Sequence, residues 1–532
     1  MTTLHCRLVA LPRPENRVFL AWRLPAELPR NTAFIVHRAA SAGPWREVSG
    51  PLSEGTCFED TPPAAGAYRY RVSVAGEPDR ISETCTVDTA RQAPTNVWFR
   101  APLPVPAAQY RHCVAADIDN DGRMDFVVRY FDGDTVRLSG IRGDGRRLWS
   151  IDTALPARGG WDLSANHVPF LCWDIDHDGR TEVVYHGGGR AWCNEQSGYY
   201  DCARPEGEML VIADAETGET KRTCPWPAEK PRVMMTLGYL RGREASPHVV
   251  VLDETYGGEL ITAIEGATGR VYWQHRQERP AGHNLDIADI DCDGVQEVIA
   301  GGTCYRGNGD ILWNAEPFGH TDMSKPANVD PERPGLEIWY LVENHSPGVY
   351  LVDSGGRTIF KEPFDHAHFG WIAKHTAEYP GLQLHAAEDR RSHTNHVHHP
   401  VFLHDGRHWA ELTNEHSRDL MPVQWDAGEE TVFIHRRNHE IVRYKPDGSL
   451  EPVPLGTLPP HGLWERNIVC ADIVGDYRED IVTVDSHSNE LIGITNTALN
   501  PARKLSPMES FSYRHDRSQH GSGYYLYVAP HE

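Results

Sequence analysis

From about residue 98 onward the chain repeats itself, and that repeat limits the possible fold more than any other feature. Seven turn segments lead into a strand, most of them reaching an apolar or aromatic residue: GDGRRLW (143–149), AETGETK (215–221), GATGRVYW (266–273), GNGDILW (307–313), SGGRTIF (354–360), HDGRHW (404–409) and PDGSLEP (446–452). From the second to the seventh they are spaced roughly 40–50 residues apart, the period of a four-stranded propeller blade. Each copy reads as strand, Gly-containing turn, strand. Helical periodicity is almost absent. A single such sheet cannot bury both its faces, so the units must stack on their neighbours, and a closed ring follows. A last unit after Asp472 lacks the Gly turn but keeps the strand pattern. The expected class is all-β: a seven- or eight-bladed β-propeller, eight favoured, over residues 98–532.

Residues 1–90 are patterned differently. RVFLAWRLP alternates around Trp22, and AYRYRVSV turns Tyr68, Tyr70 and Val72 inward. A buried Trp on an early strand and a Tyr-x-Tyr late strand resemble a fibronectin type III-like β-sandwich. The polar stretch TARQAPTNVW (89–98), with Pro94, reads as a linker.

Charge narrows the partners. Lys plus Arg number 52 against 75 Asp plus Glu, a net charge of −23. Nucleic acid and anionic lipid both need a basic face, so neither is expected. No run of about 18 apolar residues exists to cross a membrane. Residues 1–7, MTTLHCR, lack the basic stretch and long apolar core of a signal peptide. The expected location is cytoplasmic, or secreted with the signal peptide absent from this chain. The eleven Cys follow no disulfide spacing and form no CxxC pair, so most are expected to be buried thiols.

Three segments share one pattern: DIDNDGRMD (Asp117, Asp119, Asp121, Asp125), DIDHDGRTE (Asp174, Asp176, Asp178, Glu182) and DIDCDGVQE (Asp289, Asp291, Asp293, Glu297). Carboxylates fall at positions 1, 3, 5 and 9, with Gly at 6. Alternate side chains of a tight loop converge on one point, which suits calcium, a hard cation that takes six to eight oxygens. Strand residues follow at once, so these are hairpin loops and not EF-hands. Their expected role is to staple blades together. DIVGDYRED (472–480) and NVDPERPGLE (328–337) read as decayed copies, the first forming turns without metal.

Histidines number 29. His283 precedes the third calcium loop, and His320 and Asp322 precede the next unit's loop at a matching position. In a stacked ring these starting points converge, so the three residues are candidates to hold one metal or one substrate carboxylate. RRSHTNHVHHP (390–400) is a second basic, His-rich stretch, suited to an anion cleft or an exposed loop. There is no P-loop, GxSxG or HExxH.

GHNLDIADIDCDGVQEVIAGG and GHTDMSKPANVDPERPGLEIW, with LWSID, MPVQWDAGEE (421–430), ADIVGDYREDIV (471–482) and SYRHDRSQHGSGYYL (512–526), resemble polysaccharide lyase family 11, the rhamnogalacturonan lyases. The matches run in the same order over most of residues 98–532. The resemblance implies an eight-bladed calcium-binding propeller that cleaves rhamnose–uronate backbones by β-elimination. It places His283, His320 and Asp322 around an active-site calcium. The chain also departs from the family. Arg111 and His112 stand where the family has Asn-Asp, Phe131 stands at a family Asp, and HGLWERN (461–467) keeps Gly462 but has Arg466 as its nearest cation. Arg111, His112, Arg466 and Tyr513 are therefore expected around the proton-transfer step, in the style of ulvan lyases. The expected partner is a uronate-containing polysaccharide or oligosaccharide. The alternatives are an ulvan or rhamnosyl-glucuronate lyase, or a non-catalytic calcium-stabilised carbohydrate-binding propeller.

Overall fold

The computed structural model describes residues 2–4, 6–90, 96–156, 169–188, 207–229, 233–253, 258–388, 399–411, 420–458 and 469–518, apart from the side chains of residues 2, 3, 111, 156 and 455–457. The protein is almost wholly β. Two sheets form near the N-terminus. One runs Thr2–Leu4, Glu77–Ser82, Ala67–Val74, Phe34–Ala40, Arg46–Glu47, with Cys85–Asp88 also pairing Ala67–Val74. The other joins Val9–Pro12, Val18–Ala21 and Cys57–Asp60. They share a core of Leu8, Leu20, Trp22, Phe34, Val36, Tyr68, Tyr70 and Val72. The inward alternation of 67–74 holds, because one face of that strand meets the core and the other meets solvent.

The remaining strands make eight antiparallel sheets of four. Seven are continuous in sequence, each a meander of three hairpins; the first is Tyr110–Ala116, Asp125–Asp132, Thr135–Ile141, Arg147–Pro156. The eighth combines Val469–Ala471, Asp480–Asp485 and Glu490–Ile494 with a strand from far upstream, Val97–Pro102. First strands of successive sheets are neighbours. Tyr110–Ala116 touches both Phe170–Trp173 and Val469–Ala471, so the first sheet adjoins the last.

The turn repeat has a physical cause. The aromatic ring of one sheet's outer strand lies on the turn glycine of the next. Trp149 Nε1 donates to Ala215 O at 2.6 Å, Trp273 Nε1 to Gly307 O at 3.0 Å, and Trp313 Nε1 to Ser354 O at 2.9 Å. A Cβ on Gly309 would sit 2.8 Å from Trp273 Cγ, and one on Gly356 2.7 Å from Trp313 Cγ. Those glycines also hold φ of +90° and +81°, which side chains rarely adopt. Gly and aromatic residue recur together because each turn is the seat of its neighbour's ring.

Three features escape the local pattern. The ring closes through Val97–Pro102, which the eighth sheet takes as its outer strand. A helix, Phe511–Ser518, follows the last sheet and lies on Tyr110–Ala116 and Phe170–Trp173. The N-terminal sheets are also tied to the eighth: Arg23 Nη2 donates to Asp472 O at 3.1 Å, and its Nη1 lies 3.5 Å from Glu509 Oε1.

Candidate active site

The carboxylate loops form as their spacing predicts. In each, the position-6 glycine (Gly122, Gly179, Gly294) has φ between +85° and +92°. The position-9 acid is the first residue of the following strand, and its carboxylate accepts the position-2 backbone N–H. Ile118 N donates to Asp125 at 3.1 Å, Ile175 N to Glu182 at 2.9 Å, and Ile290 N to Glu297 at 3.1 Å. Three potential ligand groups result: Asp117–Asp119–Asp125, Asp174–Asp176–Glu182 and Asp289–Asp291–Glu297, each with oxygens within 4.8 Å of one another. Asp121, Asp178 and Asp293 at position 5 fall outside these groups. Their oxygens instead accept backbone N–H groups two residues on, closing Asx turns.

Burial charges these loops with unmet electrostatic demand. It pushes Asp117 up to about 6, Asp125 to about 7, Glu182 to about 7 and Glu297 to about 8, with neighbouring acids adding to it. Asp117 Oδ1 and Asp176 Oδ1 are buried without a donor. A hard divalent cation fits such a set. The loops differ in what already neutralises them. Arg142 holds Asp119 and Asp121, each at 2.7 Å. Lys221 Nζ spans Asp176 at 3.0 Å, Asp178 at 3.1 Å and Glu182 at 2.7 Å. Among the described residues no ion pair reaches the third loop, so it is the loop best fitted to calcium.

The decayed copies keep the fold of the loop and lose its charge surplus. Glu337 still accepts Val329 N at 3.0 Å. In 472–480, Val474 stands at position 3, Arg478 pairs with Asp476, and Arg23 approaches Asp472 from the N-terminal sheets. Guanidinium groups take the place a metal would have.

The histidine site is built where three first strands start. Gly282 precedes His283 and lies so close to the next sheet that a Cβ there would meet Thr321 O at 2.3 Å. His283 N donates to Thr321 O at 2.9 Å, and Asn284 Nδ2 donates to Asp322 O. His320 N donates to Asn344 Oδ1 at 3.1 Å, and Glu343 N donates to His320 O at 2.8 Å. These bonds fix the side chains toward one space. His283 Nε2 and His320 Nε2 are 2.9 Å apart. Asp322 Oδ1 lies 3.4 Å from His320 Nε2 and 3.7 Å from His283 Nε2. All three residues are buried. The sequence expectation that His283, His320 and Asp322 meet is realised in the geometry.

The structure adds three residues that sequence reasoning missed. His368, on the strand Ala367–Ala373, bonds through Nδ1 to Asp322 Oδ2. Glu343 Oε2 lies 3.5 Å from His320 Nε2, and its Oε1 lies 3.5 Å from His366 Nε2. Asp322, His366 and His368 form a second potential ligand group sharing the same aspartate. The signal was present: FDHAHFG (364–370) stands before its strand as GHN and GHT stand before theirs. Burial alone would raise the Asp322 pKa, but His368, His320 and His283 outweigh it and hold the carboxyl well below the usual range. Further along the same strands Asp286 accepts from Ser324 Oγ at 2.7 Å and Lys325 Nζ at 2.5 Å.

The other expected residues are placed as follows. His112 is buried on Tyr110–Ala116, its ring edge-on to Phe170 at 5.6 Å. Arg111 lies beside it on that strand; its side chain is outside the described set, as are Arg466 and most of 390–400. Tyr513 sits in the C-terminal helix, where a proton-transfer role was expected of it. The finding is different: it is buried, and its hydroxyl donates to Glu479 Oε1 at 2.5 Å, the same oxygen that accepts Arg517 Nη2. Burial first, and the Glu479 bond after it, push its pKa well above the ordinary tyrosine value. A phenol so held is a poor proton donor or base at neutral pH.

Among the described residues no helix is long and apolar enough to cross a membrane. The family model of the rhamnogalacturonan lyase family 11 C-terminal domain matches residues 228–530. Rhamnogalacturonan exolyase YesX of Bacillus subtilis (strain 168) is 23% identical over 566 aligned positions, which cover 91% of this chain and 87% of the relative. Rhamnogalacturonan endolyase YesW of the same organism is 23% identical over 580, covering 97% and 88%. The crystal structure of exotype YesX superposes with a TM-score of 0.78 at 21% identity, covering 100% of this chain and 96% of that one. Bacillus licheniformis rhamnogalacturonan lyase PL11 gives 0.74 at 21% identity, with the same coverage.

Proposed function

Because the chain belongs to rhamnogalacturonan lyase family 11, whose C-terminal-domain model spans more than half of it, we propose that it cleaves the rhamnose–uronate backbone of rhamnogalacturonan by β-elimination. The protein is a polysaccharide lyase. One structural observation carries the proposal furthest: three successive sheets deliver His283, His320 with Asp322, and His366 with His368 to a single point. Such convergence suits a site that must meet an anionic sugar in an acidic protein.

The eight sheets are read as the blades of a closed propeller. First-strand adjacency and the pairing of Val97–Pro102 with the last sheet support this. The N-terminal pair of sheets is read as a fibronectin type III-like domain over residues 1–90, with the propeller over 98–532. Its buried Trp22 and Tyr70 support that. Calcium is proposed for the three carboxylate loops, foremost for Asp289, Asp291 and Glu297. There it supplies charge neutralisation between sheets and no chemistry.

β-Elimination removes the C5 proton of a uronate and expels the sugar at O4. The proton is weakly acidic until the adjacent carboxylate is neutralised. His366 and His368, with 17% and 15% of their side chains exposed, form the solvent-facing rim of the cluster and can donate to that carboxylate. Arg111, His112 and Arg466 remain the proposed groups for the proton-transfer step. The ulvan-type and non-catalytic alternatives are not favoured by the comparisons. Incubation with rhamnogalacturonan I should give rising near-ultraviolet absorbance, from a new double bond conjugated to the carboxylate. No rise on rhamnogalacturonan I, with a folded and metal-replete protein, would refute the proposal.

A further inference from the structure

The donor set around Asp322 does not fit calcium. Calcium is held by oxygens, and the three carboxylate loops offer it only oxygens. The Asp322 centre instead presents two imidazole nitrogens and two carboxylates. Imidazole nitrogen suits zinc, cobalt, nickel and iron far better than calcium.

The distances agree with a small ion. Metal bonds of ~2.0–2.1 Å place tetrahedral donors about 3.3 Å apart. Here the separations are 2.9 Å between the two Nε2 atoms, 3.4 and 3.7 Å from these to Asp322 Oδ1, and 3.5 Å from His320 Nε2 to Glu343 Oε2. Asp322 is wholly buried, and its Oδ1 faces this space without a hydrogen-bond donor. A buried carboxylate oxygen in that position calls for a cation.

The outer contacts are those of a supported metal site. Ligating carboxylates are themselves hydrogen-bonded at their far oxygens, which fixes their aim. His368 Nδ1 takes Asp322 Oδ2, and His366 Nε2 lies 3.5 Å from Glu343 Oε1. The two carboxylates thus each turn one oxygen to the inner histidines and one to the outer pair. Glu343, His366 and His368 are partly exposed, which gives an ion a way in.

From this arrangement the structure assigns one divalent transition-metal ion to the centre. His283 Nε2, His320 Nε2, Asp322 Oδ1 and Glu343 Oε2 hold it. His366 and His368 are positioning residues that hold the two carboxylates. The protein therefore carries two chemically distinct classes of metal site, oxygen-only loops between sheets and a nitrogen–oxygen centre where three sheets meet. The assignment goes beyond the lyase reading and holds whichever glycan is cleaved.

Cobalt(II) is the probe. The full chain is stripped with a chelator and reloaded with cobalt in a large excess of calcium. The expected result is one tightly held cobalt per chain, visible ligand-field bands, and an X-ray absorption spectrum with a nitrogen–oxygen shell and no sulfur. His283→Ala and His320→Ala remove the bands, while Asp291→Asn, in the third calcium loop, leaves them. His368→Ala keeps the bands but weakens cobalt binding about 10- to 100-fold. Displacement of the cobalt by equimolar calcium would overturn the assignment. So would an oxygen-only shell, or bands that survive His283→Ala combined with His320→Ala. The competition and the shell are read on the unmutated protein, so a variant that fails to fold leaves the test intact.

Discussion

Glu297→Gln tests the idea that the third loop is stabilised by a cation it cannot find within the chain. Glu297 is buried, and its carboxyl is raised to about 8, mainly by burial and further by Asp291, Asp293 and Asp289. An acid raised in the folded state costs nothing at pH values where both states are protonated. Its penalty appears above the ordinary glutamate pKa, grows as pH rises, and is complete once pH passes about 8. The displacement corresponds to about 5 kcal/mol in the metal-free protein. If the chain unfolds as one unit, that is about 4 °C in melting temperature. Glutamine keeps an oxygen for the Ile290 N–H and removes the charge. In chelator at pH 8 the variant should melt above the unmutated protein by up to this amount, and at pH 5 the gap should shrink. In calcium the order should reverse, because the variant has lost a ligand. Scanning calorimetry at both pH values, with and without calcium, reads all four cases. A variant that melts lower than the unmutated protein in chelator at pH 8 would refute the reasoning. Glu297 would then act through its backbone bond alone.

Other outcomes follow from particular contacts. Lys221→Met removes the ammonium that spans Asp176, Asp178 and Glu182, so calorimetric titration should show calcium affinity at the second loop rising at least about tenfold, the scale of one removed charge interaction. Tyr513→Phe loses a buried bond to Glu479; stability should fall by about 1–3 kcal/mol while kcat stays near the unmutated value. A large fall in kcat with unchanged melting would restore Tyr513 to the chemistry. Gly356→Ala meets both a φ of +81° and the Trp313 ring at 2.7 Å, and should lower stability by about 1–3 kcal/mol on denaturant unfolding.

The all-β class and the repeat were legible because each turn glycine and each outer-strand ring answer a demand of the neighbouring sheet, so they recur together in sequence. The carboxylate loops were legible because their function depends on alternate residues of one short segment. His283, His320 and Asp322 were reached through matching positions of successive units. His366 and His368 occupy the same position in the next unit and were passed over, since no carboxylate loop follows them to draw attention. Glu343 lies on no motif; only the return of its strand beside His320 brings it in. The strand Val97–Pro102 closes the ring by pairing with residues almost 400 positions away, which no local pattern records. Tyr513 was misplaced for a related reason. A short helix with a polar composition reads as surface, yet tertiary contact buries it against Glu479 and Arg517.

The account's central claim is that the glycan bond breaks by elimination, and the isotopic content of the new chain ends tests it most directly. Rhamnogalacturonan I is cleaved in water enriched in heavy oxygen, and the oligosaccharides are weighed by mass spectrometry. Elimination takes no atom from water. The predicted products carry no heavy oxygen and include an unsaturated uronate end lighter by one water than its saturated counterpart. Saturated ends that carry one heavy oxygen each would show hydrolysis and contradict the account.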